Sequence, residues 1–128
     1  MTRAANLATL LNLYEGDRVL FFEKLDAAYV CHTPGASPIA GRFVGPEGMK
    51  RHGLQMRDLT DGTFRARLRG DIVIDDIHAL APVEISARRN GRELRMPAFG
   101  IWRFEGARVM EHWENPLDMP AFDAFWSS

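Results

Sequence analysis

The segment from His78 to Asn115, HALAPVEISARRNGRELRMPAFGIWRFEGARVMEHWEN, decides how this chain folds. Asn90-Gly91 divides two runs of period-two character, and both residues tolerate the positive φ that a tight hairpin needs. A two-residue loop there sets Ala87 opposite Leu94, Ile85 opposite Met96, Val83 opposite Ala98, Ala81 opposite Gly100 and Ala79 opposite Trp102. All ten are apolar or small, so one face of the hairpin lines a core. The other face pairs Arg88 with Glu93 and Ser86 with Arg95 near the turn, then carries Leu80, Pro82, Phe99 and Ile101. A slip of one residue would mix the two sets, so the register is strongly specified.

The turn that follows Trp102 admits two readings. A two-residue loop at Glu105-Gly106 puts Val109, Glu111 and Trp113 on the inner face with Trp102. A three-residue loop, Glu105-Gly106-Ala107, turns Met110, His112 and Glu114 inward instead. The shorter loop sets Arg103 against Arg108, an unfavourable like-charge pair. That weighs for the longer loop.

Upstream, Leu7, Leu10, Leu11 and Tyr14 recur at helical spacing behind Thr2, a residue able to cap. Gly16 ends this helix, and Asp17 caps a second one running through Leu25, with Val19, Phe21, Phe22 and Leu25 as its apolar stripe. Ala28 to Thr33 reads as a short strand, with Ala28, Val30 and His32 on one side and Tyr29, Cys31 and Thr33 on the other. Residues 34–45 form a loop rich in Pro and Gly. Pro46 opens a third helix whose Met49, His52, Met56 and Leu59 share a face, and Asp61-Gly62 stops it. Phe64 to Ile74 is expected to be one strand, followed by a turn at Asp75-Asp76. Downstream, Pro116 ends the last strand, and Pro120 to Trp126 is a short helix or turn whose Phe122, Phe125 and Trp126 would cover an open edge. Helices, a strand, a helix and a long antiparallel run describe an α+β domain spanning residues 1–128. A curved antiparallel sheet wrapped around the N-terminal helices would make a cone, or half-barrel, with a hollow end.

At 128 residues the chain suits one domain with a real core. A formal net charge of −1, with no run of Lys or Arg, offers no field for nucleic acid or an acidic membrane. No segment approaches the roughly 18 consecutive apolar residues of a membrane span. Asn6, Asn12 and Glu15 interrupt the N-terminal apolar run, so no signal peptide is read and a cytoplasmic location is expected. The single cysteine, Cys31, excludes an internal disulfide and a Cys-based zinc site, and it reads as a small buried residue. There is no HExxH or HxH spacing, no phosphate loop and no dinucleotide fingerprint, so neither a metal nor a nucleotide cofactor is expected.

With these elements in order, several segments resemble one known family. Cys31-His32-Thr33-Pro34-Gly35, then Gly41 and Gly45-Pro46-Glu47-Gly48, Trp102-Arg103-Phe104 and Glu111-His112-Trp113 are similar to the SnoaL-like branch of the nuclear transport factor two and ketosteroid isomerase superfamily. The resemblance covers nearly the whole chain. It implies a cystatin-like, ketosteroid isomerase-like cone and homodimers formed through the outer sheet face, which would use Leu80, Pro82, Phe99 and Ile101. It also implies that Met110, His112 and Glu114 face the cavity. It leaves function open, because the fold hosts isomerases, dehydratases, epoxide hydrolases, polyketide cyclases and binding proteins. Three ketosteroid isomerase positions differ here. The catalytic aspartate falls at His32-Thr33, the second aspartate near Gly100 and the helix-one tyrosine near Thr9, which argues against steroid isomerisation by that mechanism. Polyketide cyclases of the SnoaL type place a basic aspartate just after the last strand, and Asp118 is the nearest match.

The candidate chemistry rests on few residues. His32 precedes the Pro34-Gly35 loop, where a cavity mouth is expected, and an imidazole is a side-chain type suited to general acid or base work. Its alternative is an ordinary hydrogen-bonded structural histidine. His112 and Glu114 lie two apart on a strand and share a face, where a carboxylate can orient an imidazole and raise its basicity. Their alternative is a solvated polar stripe or a dimer contact. Trp102, Met56, Met96, Met110 and Val30 are expected to shape a pocket for a small hydrophobic molecule. His52 reads as packing between helix and sheet, and His78 takes no role. The function expected is a cofactor-independent isomerase, cyclase or dehydratase acting by proton transfer on a small apolar carbonyl compound. The other is a non-catalytic dimeric module that binds a hydrophobic ligand or a partner protein. An enzyme should bring His32 and His112 together at one cavity.

Overall fold

The computed structural model describes residues 2–128. Helix α1 (Thr2–Glu15) is followed by the short α2 (Arg18–Glu23), capped by Asp17, whose carboxylate accepts a hydrogen bond from the Val19 amide at 2.9 Å. Strand β1 (Leu25–Thr33), strand β2 (Gly41–Val44) and helix α3 (Gly45–Leu59) come next. Then follow β3 (Arg65–Leu68), β4 (Val73–Ile74), β5 (His78–Arg89), β6 (Arg92–Glu105), β7 (Arg108–Pro116) and helix α4 (Met119–Ser127). The strands form one curved sheet in the order β2-β1-β7-β6-β5-β3, with β4 also paired to β5. Its two ends do not meet, and the helices lie over the concave side. This is the α+β half-barrel read from the sequence. Among the described residues no helix is long and apolar enough to cross a membrane.

The β5–β6 hairpin has the expected register, from Ala87 opposite Leu94 through Ala79 opposite Trp102. Asn90 and Gly91 take φ of 51° and 74°, as that tight turn demands. Its inner residues Ala81, Val83, Ile85, Ala87, Leu94, Met96 and Ala98 are buried in one apolar cluster. A second cluster joins Leu10, Phe21, Tyr29, Cys31, Trp102, Phe104 and Val109 beneath the N-terminal helices.

Neither expected loop forms between β6 and β7. Glu105 pairs with Arg108 across a Gly106-Ala107 turn, and Gly106 supplies a φ of 58°. Phe104 then faces Val109, but Arg103 faces Glu111, so Met110 is an extra residue in a β-bulge. The bulge lets Val109 point inward and still turns His112 and Glu114 to the same side. It also gives Arg103 a carboxylate, Glu111 at 3.2 Å, in place of Arg108.

Five further expectations change. The sheet is mixed, because β1 runs parallel to β7. Arg108 fastens the two strand starts together, its guanidinium donating to the carbonyls of Glu23 and Leu25 at 3.0 and 2.6 Å. Gly41–Val44, read as loop, is a strand paired with β1, and Leu25 opens β1 instead of closing α2. The strand expected over residues 64–74 is two short ones, broken around Gly70. Helix α4 covers the inner face of the β5–β6 hairpin, not an edge, and buries Phe122, Phe125 and Trp126 against it.

Candidate functional site

Between α1, α2, α3, β3 and the concave face of the sheet lies a cavity of about 600 Å³. Its walls are mostly apolar, with Leu13, Ile39, Met49, Met56, Phe64, Ile85 and Phe122 among them. Polar groups reach its interior at two places.

The first is built on β6 and β7. Trp102 and His112 are cross-strand partners, and their rings stack with centroids 3.8 Å apart at 17°. Trp102 donates its Nε1–H to the Tyr14 hydroxyl at the end of α1, at 3.2 Å. One pair further along, Gly100 faces Glu114. A Cβ at Gly100 would stand 2.9 Å from Tyr14 Oη and 3.2 Å from both His112 Nε2 and Trp102 Nε1. The absent side chain is what lets these groups gather. His112 Nε2 lies 3.5 Å from Glu114 Oε2, and His112 Nδ1 lies 3.6 Å from the Cys31 sulfur.

Burial sets the charge states. Glu114 has its pKa pushed up to about 7, because its carboxylate is desolvated. His112 is pushed down to about 3, by desolvation first and by the other histidines second, so its imidazole is neutral at ordinary pH. Burial pushes the Cys31 thiol up to about 11, which keeps its proton in place. If the thiol proton is directed at Nδ1, 3.6 Å away, the neutral imidazole carries its hydrogen on Nε2. Glu114 Oε1 and His112 Nε2 are both buried without a hydrogen-bond partner among the described residues. Such groups are costly to leave idle and are what a ligand's polar atoms would satisfy. The Tyr14 hydroxyl accepts from Trp102, so its own proton is free for an acceptor.

The second polar place joins β1 to α3. The Thr33 hydroxyl lies 2.8 Å from His52 Nε2, and the His52 ring stacks on Phe43 at 4.1 Å. Desolvation lowers His52 to about 4, and its buried Nδ1 has no partner among the described residues. Packing against the sheet was its expected role; its position on the cavity wall was not foreseen. Among the described residues no three His, Cys, Asp or Glu side chains come together as a metal-ligand set.

Of the candidate residues, His112, Glu114, Trp102 and Met56 line the cavity. His32 does not. Alternation along β1 turns Tyr29, Cys31 and Thr33 inward, and this places His32 on the convex face. There its Nε2 meets Glu111 Oε2 at 2.6 Å and its ring stacks on Trp113 at 5.5 Å. Val30 shares that outward side and is covered beside Val44. Met96 is packed beneath α4 in the core, and Met110 sits in the bulge, away from the cavity. Asp118 is exposed and caps α4, accepting from the Ala121 amide at 3.1 Å. Sequence reasoning missed Tyr14, whose hydroxyl on an otherwise aliphatic helix stripe was the available signal. It also missed Glu111 as the partner of His32.

No protein-family model matches the chain, and no curated protein matches it in sequence. Solved structures do match over nearly its full length. Bal32a, from a soil-derived mobile gene cassette, is 27% identical with a TM-score of 0.87, over 98% of this chain and 99% of its own. An NTF2-like protein of unknown function from Burkholderia pseudomallei K96243 is 14% identical with a TM-score of 0.83, over 97% and 98%. A protein described as a SnoaL-like polyketide cyclase, from Jannaschia sp. CCS1, is 11% identical with a TM-score of 0.77, over 99% and 94%. The chain has the nuclear transport factor two-like fold, the fold that SnoaL-like proteins share.

Proposed function

We propose that the cavity binds a small, largely apolar carbonyl compound and that Glu114 moves a proton on it without a cofactor. The observation that carries this reading is a carboxyl with a pKa of about 7 and an unpartnered oxygen inside an apolar cavity. Near neutrality such a group is present in both forms, so it can take a proton and give it back. The Glu114 carboxylate removes a proton from the carbon next to the carbonyl, and the electron pair moves onto the carbonyl oxygen as an enolate. Tyr14 O–H and His112 Nε2–H, gathered around Gly100, donate to that oxygen. Return of the proton from Glu114 to a different carbon is an isomerisation. Attack of the enolate on a second carbonyl, whose oxygen takes the proton back from Glu114, is an aldol-type cyclisation, and departure of a β-hydroxyl as water, with the proton returned by Glu114, is a dehydration.

The test is solvent deuterium exchange. Incubation with β,γ-unsaturated and aromatic ketones in D₂O, followed by NMR, should show deuterium entering next to the carbonyl of at least one compound. Glu114→Gln should stop the exchange. Exchange unchanged in that variant removes Glu114 from the chemistry.

A second reading, a module that binds a hydrophobic ligand without reaction, is favoured by the separation of His32 from His112 on opposite faces of the sheet. Both readings need the ligand; only the first needs exchange. Homodimerisation through the outer sheet face is part of either proposal. It is supported by Phe99, 39% exposed on the convex side near Leu80 and Ile101.

A further inference from the structure

We infer that the ligand of this cavity carries an anionic group, a carboxylate or a phosphate, that stays at the mouth while its apolar body enters. This rests on the cavity being a small-molecule site and adds the class of molecule it takes.

Exposure sorts the cavity walls into interior and mouth. The exposed lining residues are Arg18, Lys50, Gly53, Leu54, Arg57 and Arg65. Four of these six are cations and none is acidic; the one carboxylate on the cavity is Glu114, inside it. The chain as a whole has a net charge of −1, so this positive rim is a local arrangement and not a consequence of composition.

Three elements supply it. Arg18 opens α2 on one side. Lys50, Gly53, Leu54 and Arg57 follow i, i+3, i+4, i+7 spacing and so form one face of α3. Arg65 opens β3. Arg18 and Arg65 have no carboxylate partner among the described residues. Arg18 donates only to the Leu13 carbonyl at 3.3 Å, and Arg65 only to those of Gly62 and Phe64, each at 2.7 Å. Lys50 and Arg57 hold loose, exposed pairs, with Glu47 at 3.7 Å and Asp58 at 3.5 Å. Pairs of that kind hold their partners weakly and can be exchanged for a ligand's anion.

Gly53 supports the same conclusion. Glycine inside a 15-residue helix is a poor choice for stability. Here nothing lies within 4 Å of where its Cβ would stand, so the helix face at Gly53 is open. A positive rim above apolar walls concentrates anions at the opening, and guanidinium groups suit carboxylate or phosphate oxygens.

Two dyes with one skeleton test this: 1-anilinonaphthalene-8-sulfonate, which is anionic, and N-phenyl-1-naphthylamine, which lacks the sulfonate. Their dissociation constants are read by fluorescence at low and high salt. The sulfonate dye should bind about tenfold tighter at low salt, and the advantage should shrink as salt screens the rim. The R18Q/R65Q variant should lose the preference, its affinity for the sulfonate dye falling to that for the neutral dye. The R88Q/R92Q variant, at the hairpin tip, should keep it. Displacement of the neutral dye by decanoate, decyl phosphate and decanol then identifies the anion. Decanol should be the weakest, and the better of the other two names the group. Neutral-dye binding with no anion preference, or a preference that survives R18Q/R65Q, overturns the inference and leaves the cavity reading intact. Binding of neither dye defeats the cavity reading and the inference with it.

Discussion

His112 Nε2 and Glu114 Oε2 face each other 3.5 Å apart inside the sheet, and burial moves their proton affinities in opposite directions. The carboxyl holds its proton longer than usual, while the imidazole gives its own up early. The pair is therefore close to uncharged below neutrality and carries one negative charge above it.

Glu114→Gln should change how stability depends on pH. A carboxyl raised from 4.5 to about 7 binds protons more tightly folded than unfolded, so its contribution to stability falls as pH rises across that window. The variant loses this fall and should gain up to about 3 kcal/mol on the wild type between pH 4 and pH 8. His112 and His52 act the other way. Their depressed values, about 3 and about 4 against 6.5, make stability rise from pH 3 to 6.5 in both proteins. Urea unfolding across this range checks the difference, and parallel curves would contradict it.

His32→Ala and His112→Ala should separate cleanly. His32 is on the convex face, bonded to Glu111, so its loss should leave neutral-dye affinity within about twofold of the wild type. His112→Ala opens space beside Trp102 and should alter that affinity severalfold. Equal effects from the two variants would mean that His32 reaches the cavity after all.

Gly100→Ala should cost about 1–3 kcal/mol, because the added methyl meets Tyr14 Oη at 2.9 Å and two ring nitrogens at 3.2 Å. Thermal unfolding reads the cost. The Trp102 indole N–H resonance reads displacement of its bond to Tyr14, and an unmoved resonance counts against the proposed gathering of polar groups.

Asp118→Ala should lose a helix cap worth about 1 kcal/mol and leave proton exchange unchanged. A drop of more than about tenfold in exchange, well beyond what a lost cap explains, would transfer the base from Glu114 to Asp118.

The β5–β6 hairpin was legible because Asn90-Gly91 fixes one register and every inner position is apolar or small. The following turn was not. The bulge at Met110 is selected by burial of Val109 and the meeting of Arg103 with Glu111, and no local pattern announces either. Period two correctly set His32 and Cys31 on opposite sides of β1. Both sides carry apolar residues, though, and only parallel pairing with β7 decides that Cys31 faces in. Strand β2 has four residues and starts with glycine, so loop chemistry hid it. His112 and Glu114 could be named from their spacing. Tyr14 offered only its hydroxyl on an aliphatic stripe, and nothing local shows that it reaches them from the far end of α1.

The central claim is that Glu114 is a proton-carrying group inside a ligand cavity. Its side-chain carboxyl carbon can be titrated by NMR in ¹³C-labelled protein, with and without N-phenyl-1-naphthylamine. The account predicts a midpoint near 7 that moves when the dye binds. A midpoint at the ordinary 4.5, indifferent to the dye, would contradict it.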